Sequence, residues 1–316
     1  MTVPDARPRV LFAGTPGVAV PSLDALSAAG FDIVAVLTRE DAPVGRKKIM
    51  TASPVARRAA ELGLHVIKAN RLDDPAVSAI AEAAPDVAAI VAYGGLVPEE
   101  ALALPAHGWI NLHFSLLPQW RGAAPVQHAV INGDDMTGAS TFLLEKGLDT
   151  GPVYGTLTEA IRPEDTSGEL LERLSFSGAA LLAQTLSAVL AGKAVAVPQA
   201  GRPTAAPKLG LEDGHIDWNQ PALAIRRRIN GVTPEPGAWT TLAGQRFKLG
   251  PVTLRQDRRD LAPGQVLPTS GGSALALVGT GSCAVQLGQV QPAGKKMMAA
   301  ADWARGLGQR EDVRFE

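Results

Sequence analysis

The chain has 316 residues, 46% of them hydrophobic and 19% charged, with 30 Lys/Arg against 31 Asp/Glu. These proportions describe a folded chain long enough for two domains, and they argue against a disordered protein or a general nucleic-acid coat. Charge is uneven along the sequence, however. Residues 1–206 carry 16 Lys/Arg against 21 Asp/Glu, and residues 207–316 carry 14 against 10. That gradient points to an anionic partner at the C-terminal part, with ordinary surface scatter as the alternative.

An apolar run at residues 10–14 ends in Gly14 and reads as a buried parallel strand. Thr15 and Pro16 follow as N-cap and first residue of a helix that Gly30 ends, and residues 33–37 form the next strand. Gly14-Thr15-Pro16-Gly17 lacks the G-x-G-x-x-G spacing, so a nicotinamide cofactor is rejected. Residues 38–54 form a loop with three adjacent cations, Arg46, Lys47 and Lys48, suited to phosphate or to plain solvation. A helix begins at Ser53-Pro54. The spacing then predicts a strand at 65–67, a helix at 75–84, a strongly apolar strand at 86–92, a short helix at 98–104 and a strand at 108–113. A helix at 125–132 and a strand at 137–145 follow. Thr166 and Glu169 form a capping box opening a leucine-striped helix that runs to about residue 191. Residues 193–210 are rich in Pro and Gly and read as a linker between domains at 1–192 and 211–316. Beyond it, one helix at 222–228 and short strands at 239–242, 246–249, 264–267, 274–278 and 283–287 suggest a small barrel. Cys283, the only cysteine, begins one of those strands and reads as a small buried residue, which leaves no intrachain disulfide and fits a reducing compartment. No leader pattern or apolar run of about 20 residues stands out, so the expectation is a cytoplasmic protein without membrane contact.

The polar residues gather between Asn111 and Asp149. Alternation along the 108–113 strand puts Asn111 and His113 on one face, at the strand end where parallel folds place ligands. Asp149 lies in the turn Gly147-Leu148-Asp149-Thr150-Gly151. An amide that donates to an oxyanion, an imidazole that moves a proton and a carboxylate that holds it are what acyl transfer to an amine requires. A Ser115–His113–Asp149 hydrolase triad is the competing arrangement, although no G-x-S-x-G elbow is present. Each residue also has a structural reading: a strand-end amide, a satisfied buried histidine, a turn aspartate.

The run Asn111-Leu112-His113-Phe114-Ser115-Leu116-Leu117-Pro118, together with Gly147–Gly151, resembles the signature of the formyltransferases that use 10-formyltetrahydrofolate. Phe12-Ala13-Gly14-Thr15-Pro16, the Gly45-Arg46-Lys47-Lys48 loop, Val91-Ala92-Tyr93-Gly94 and Trp120-Arg121-Gly122-Ala123-Ala124-Pro125 are similar to the branch of that family acting on initiator methionyl-tRNA. So are Ile216-Asp217-Trp218 and Gln291-Pro292-Ala293-Gly294-Lys295-Lys296 in the C-terminal part. The resemblance implies an α/β fold: a Rossmann-like N-terminal formyltransferase domain with a C-terminal OB-type β-barrel. It implies 10-formyltetrahydrofolate as co-substrate, no metal, initiator methionyl-tRNA as acceptor and a chain acting as a monomer. By the same resemblance Asn111, His113 and Asp149 are catalytic. Ser115, Leu116, Leu117 and Pro118 line the folate site, and Arg46, Lys47 and Lys48 approach the tRNA acceptor end.

Overall fold

A computed structural model of the chain describes residues 7–45, 47–268, 275–307 and 312–316. The chain divides into two compact units, one of residues 1–122, 136–160 and 171–205, the other of residues 123–135, 161–170 and 206–316.

The first unit contains β1 (Arg9–Gly14), α1 (Val20–Ala28), β2 (Asp32–Thr38), β3 (Ala42–Val44), β4 (Ile49–Thr51), α2 (Pro54–Glu61) and β5 (Val66–Lys68). It continues with α3 (Asp74–Ala83), β6 (Val87–Val91), α4 (Glu99–Leu102) and β7 (Trp109–His113). After α5 (Pro125–Asn132), which belongs to the second unit, come β8 (Met136–Leu143), β9 (Val153–Ala160) and α6 (Ser167–Leu190), whose residues 167–170 are counted with the second unit. The sheet order is β5-β2-β1-β6-β7-β8-β9. The first five strands are parallel, and β8 and β9 run antiparallel to their neighbours. The chain reverses its winding between β1 and β6, which makes their carboxyl ends the crevice where such sheets take ligands.

Local chemistry explains several elements. Ser53 caps α2, its hydroxyl accepting from the Ala56 amide at 3.0 Å, with Pro54 at the first helical position. The 86–92 run is β6, whose five residues are all buried. Four expectations need correction. Thr15 caps no helix: its hydroxyl donates to the Tyr93 carbonyl at 2.8 Å, and α1 starts only at Val20 after a short 3-10 turn. Residues 38–54 are not all loop, because β3 and β4 pair as an antiparallel hairpin. β9 is a strand where none was expected; its residues alternate between half-buried and exposed, an outer-strand pattern with little apolar signal. Finally, α6 is long and apolar enough to cross a membrane, contrary to the sequence reading. Its Leu174, Leu182 and Leu186 nevertheless have no exposed surface.

The second unit carries α5, α7 (Ala222–Gly231) and two four-stranded antiparallel sheets. One sheet is formed by β10 (Ala238–Leu242), β11 (Gln245–Leu249), β16 (Gln289–Gln291) and β17 (Met298–Ala299). The other is formed by β12 (Val252–Arg255), β15 (Ala284–Leu287), β14 (Ala276–Val278) and β13 (Val266–Pro268). α8 (Ala300–Leu307) completes the unit. Ile216, Trp218, Ile225, Ile229, Phe247 and Phe315 belong to its core. β12, β16, β17 and α8 were not expected from the sequence. Cys283 precedes β15 and is half-buried instead of fully buried.

Candidate active site

β7 delivers Asn111 and His113 to its carboxyl end, paired across the ladder with Phe142 and Ser140 of β8. His113 is 7% exposed, and its ring meets that of Phe142 edge-on at 6.4 Å. Its Nε2 lies 2.8 Å from the Trp120 carbonyl oxygen. A carbonyl only accepts, so in the neutral ring the proton is assigned to Nε2 and Nδ1 is left with its lone pair. Nδ1 faces Asp149 Oδ2 at 3.7 Å, a charge contact too long for a hydrogen bond. Burial pushes the His113 pKa below its ordinary value, against the opposing pull of the Asp149 carboxylate and of the bond to Trp120. The resting ring is therefore neutral at pH 7. Asn111 is half-buried, and its side-chain amide has no hydrogen-bond partner among the described residues.

Backbone groups hold this pair. The Gly122 amide donates to Asp149 Oδ2 at 2.7 Å. Asp149 has φ 50°, a left-handed conformation that aspartate tolerates. Trp120 has φ 58°, where a bulky residue pays about 1–2 kcal/mol. That conformation aims its carbonyl at the His113 ring, and strain of this kind collects at functional sites.

The Ser115 hydroxyl is fully buried and donates to the Gln119 carbonyl at 2.5 Å. With His113 Nε2 bound to Trp120, no Ser115–His113–Asp149 triad assembles. Leu116 and Leu117 are half-buried, while Ser115 and Pro118 on either side of them are buried. Of the cations of the expected phosphate loop, Lys47 and Lys48 lie between β3 and β4, on the hairpin tip. Lys47 and Lys48 are exposed there, beside the exposed apolar residues Val44, Ile49 and Met50. Arg46 lies outside the described residues. No group of three or more His, Cys, Asp or Glu side chains suited to a metal occurs among the described residues.

Sequence reasoning left Arg121 without a role and passed over Gln199 in a Pro/Gly-rich stretch. The Arg121 guanidinium donates to Gln199 Oε1 from Nε at 3.1 Å and Nη2 at 2.6 Å. Gln199 Nε2 in turn donates to the Asp149 and Gly151 carbonyls, both at 2.8 Å. No periodicity or motif marks an isolated glutamine of this kind.

Comparison with known proteins matches residues 7–186 to the family described as Formyl transferase and residues 208–308 to Formyl transferase, C-terminal domain. The chain is similar to the methionyl-tRNA formyltransferase of Arthrobacter sp. (strain FB24), 72% identical over 98% of this chain and 100% of that one. It is 56% identical to the methionyl-tRNA formyltransferase of Streptomyces coelicolor over 94% of this chain and 96% of that one. Among solved structures, the fold is similar to the N-formyltransferase from Helicobacter canadensis in complex with folinic acid and dTDP-3-aminofucose. The TM-score is 0.67 at 16% identity, covering 90% of this chain and 100% of that one. HypX from Aquifex aeolicus in complex with tetrahydrofolic acid gives a TM-score of 0.62 at 18% identity, covering 96% of this chain and 47% of that one.

Proposed function

The chain belongs to the formyl transferase family, and from that premise we propose that it transfers the formyl group of 10-formyltetrahydrofolate to the α-amine of methionine on initiator methionyl-tRNA. Relatives 56–72% identical over nearly their whole length bear the name of that activity. The observation that carries the chemistry is the arrangement at the end of β7: an amide with no partner among the described residues, on the same strand as a neutral imidazole whose free nitrogen faces a carboxylate.

The folate supplies a formyl carbon on N10, open to attack by an amine. Asn111 Nδ2 donates to the formyl oxygen as it gains negative charge. His113 Nδ1 takes the proton released by the attacking nitrogen, because Nε2 already holds its own proton against Trp120. Asp149, 3.7 Å away, stabilises the imidazolium that forms. His113 then returns the proton to N10 as the carbon–nitrogen bond to the folate breaks. The amine must arrive uncharged, and an α-amine titrates at about 7.7–8.0, so a neutral site near pH 7–8 suits both partners. No enzyme-bound acyl group is formed, in keeping with the inward bond of the Ser115 hydroxyl.

Leu116 and Leu117 offer the apolar surface against the folate, with the buried Ser115 and Pro118 fixing the segment at its two ends. Lys47 and Lys48, with Arg46, approach the phosphates of the acceptor end. By the sequence boundaries the catalytic part spans residues 1–192, the segment 193–210 leads from it and the C-terminal part spans 211–316, with residues 193–205 packing in the first compact unit instead of serving as a free linker. The protein works in the cytoplasm as a monomer, without membrane contact.

The deciding experiment is a transfer assay with formyl-labelled 10-formyltetrahydrofolate and three conditions: charged initiator tRNA, charged elongator tRNA and no acceptor. Label should appear on initiator methionine and be much weaker on the elongator. Release of free formate at the same rate without acceptor would replace this reading with hydrolysis.

A further inference from the structure

The segment after α6 reaches into the candidate active site's support. Residues 193–205 belong to the first compact unit, although their composition reads as a linker. Gln199 stands at the centre of a closed set of bonds there. Its Oε1 accepts two guanidinium N–H groups from Arg121, so the amide orientation is fixed. Its Nε2 must then face the Asp149 turn, where it donates to the carbonyls of Asp149 and Gly151. Arg121 follows Trp120, which holds His113, and precedes Gly122, which holds the Asp149 carboxylate. Thr204 ties the same loop from further along the segment: its hydroxyl accepts from the Trp120 amide at 2.8 Å and its carbonyl from the Arg121 amide at 2.9 Å.

We propose that Gln199, oriented by Arg121, is a positioning residue that holds the Asp149 turn and the Trp120–Gly122 loop together, and so sets the distance between Asp149 and His113. This rests on the formyl-transfer reading for its importance, though not for its geometry. The physical reason is that His113 and Asp149 arrive on separate elements, and their direct contact at 3.7 Å is too loose to fix either one. The backbone groups on which they depend lie in two irregular segments. One amide bridges both, with two donors spent on one segment and a doubly bonded acceptor on the other. Displacements of about 1 Å in such support lower rates by about 100-fold.

The test uses the full chain and four variants: Gln199→Ala, Gln199→Glu, Arg121→Ala and, as a control for plain destabilisation, Leu174→Ala in α6. The His113 ring titration is followed by NMR, with His113→Asn assigning the signal. Asp149 is the charged group that acts on this ring, with the Trp120 carbonyl and the Phe142 ring as its other neighbours. Loosening Asp149 removes the pull that raises the ring's titration, so the midpoint should fall in Gln199→Ala. Gln199→Glu should behave alike, because a carboxylate keeps the tie to Arg121 but cannot donate to two carbonyls. Arg121→Ala should give a smaller fall in the same direction, and Leu174→Ala none. In turnover, Gln199→Ala should lower kcat by about 10- to 100-fold with KM for 10-formyltetrahydrofolate within about twofold. An unchanged titration and kcat in Gln199→Ala, or wild-type behaviour in Gln199→Glu, would overturn the positioning role. The titration needs no turnover, so a wild-type chain that transferred no formyl would overturn the functional reading instead.

Discussion

His113 is buried in the folded chain, and that burial pushes its pKa below the ordinary histidine value. The same group in the unfolded chain titrates near about 6.5. As pH falls through that value, the unfolded state binds a proton that the folded state refuses, and stability drops. The loss continues until pH reaches the lower folded value, with a slope of at most about 1.4 kcal/mol per pH unit for one proton. His113→Asn should therefore lose less stability than wild type between about pH 7 and pH 5, measured as the shift in urea midpoint. Parallel shifts in the two proteins would remove His113 from the acid sensitivity. Asn111 makes the complementary case, since its amide has no protein partner among the described residues. Asn111→Ala should leave the urea midpoint nearly unchanged and lower kcat by about 100- to 1000-fold, the usual effect of losing an oxyanion donor. A large loss of stability with kcat intact would make Asn111 a structural residue.

At the scale of elements, the turn after β8 is closely packed around Asp149. A side chain on Gly151 would strike the Leu143 carbonyl oxygen, which is backbone and has nowhere to go. It would also press on Phe142, the residue whose ring meets that of His113 in a T-shaped contact. Gly151→Ala should cost about 1–3 kcal/mol and lower kcat as the turn shifts. Gly17→Ala, where an added methyl meets nothing within 4 Å, should change stability by no more than about 0.5 kcal/mol. Equal urea midpoints for the two variants would show that the turn yields freely. The legible parts of this region were those with strong local signals. β7 announced itself by apolar residues interrupted at two positions of one face, and α2 by Ser53-Pro54. β9 has an exposed alternation without a clean apolar face, and β3–β4 is a hairpin of three-residue strands, so neither gives a pattern strong enough to read. Thr15 had the residue type of a cap, but a tertiary bond to Tyr93 claimed its hydroxyl. Gln199 and the backbone groups of Trp120 and Gly122 were out of reach, because their partners lie between 7 and 84 positions away and no side-chain type betrays a backbone role.

At the scale of the whole molecule, the charge gradient along the sequence dissolves once charges are assigned to compact units. Residues 123–135 and 161–170 fold with the C-terminal part and bring it Asp134, Asp135, Glu164, Asp165 and Glu169 against only Arg162. The second unit then holds 15 Lys/Arg against 15 Asp/Glu, and the first 15 against 16. Net charge therefore gives neither unit an attraction for tRNA, and any attraction must come from local groups. Several arginines of the second unit are already matched: Arg255 pairs with Asp257, Arg258 with Asp260, and Arg226 with Glu164. Lys47 and Lys48 differ, being exposed on the β3–β4 tip and making no ion pair among the described residues. Neutralising phosphates releases counterions, so each cation that truly contacts one adds about one unit to the dependence of log K on log salt. The double variant Lys47→Ala/Lys48→Ala should thus weaken initiator-tRNA binding and flatten the salt slope by up to about two units. Binding of 10-formyltetrahydrofolate should stay as in wild type. Arg255→Ala/Arg258→Ala should leave the slope nearly unchanged, because those guanidiniums are neutralised by their own aspartates. Filter binding between about 50 and 200 mM salt separates the cases. A slope that flattened in the arginine variant and not in the lysine one would move the tRNA contact from the hairpin to the second unit.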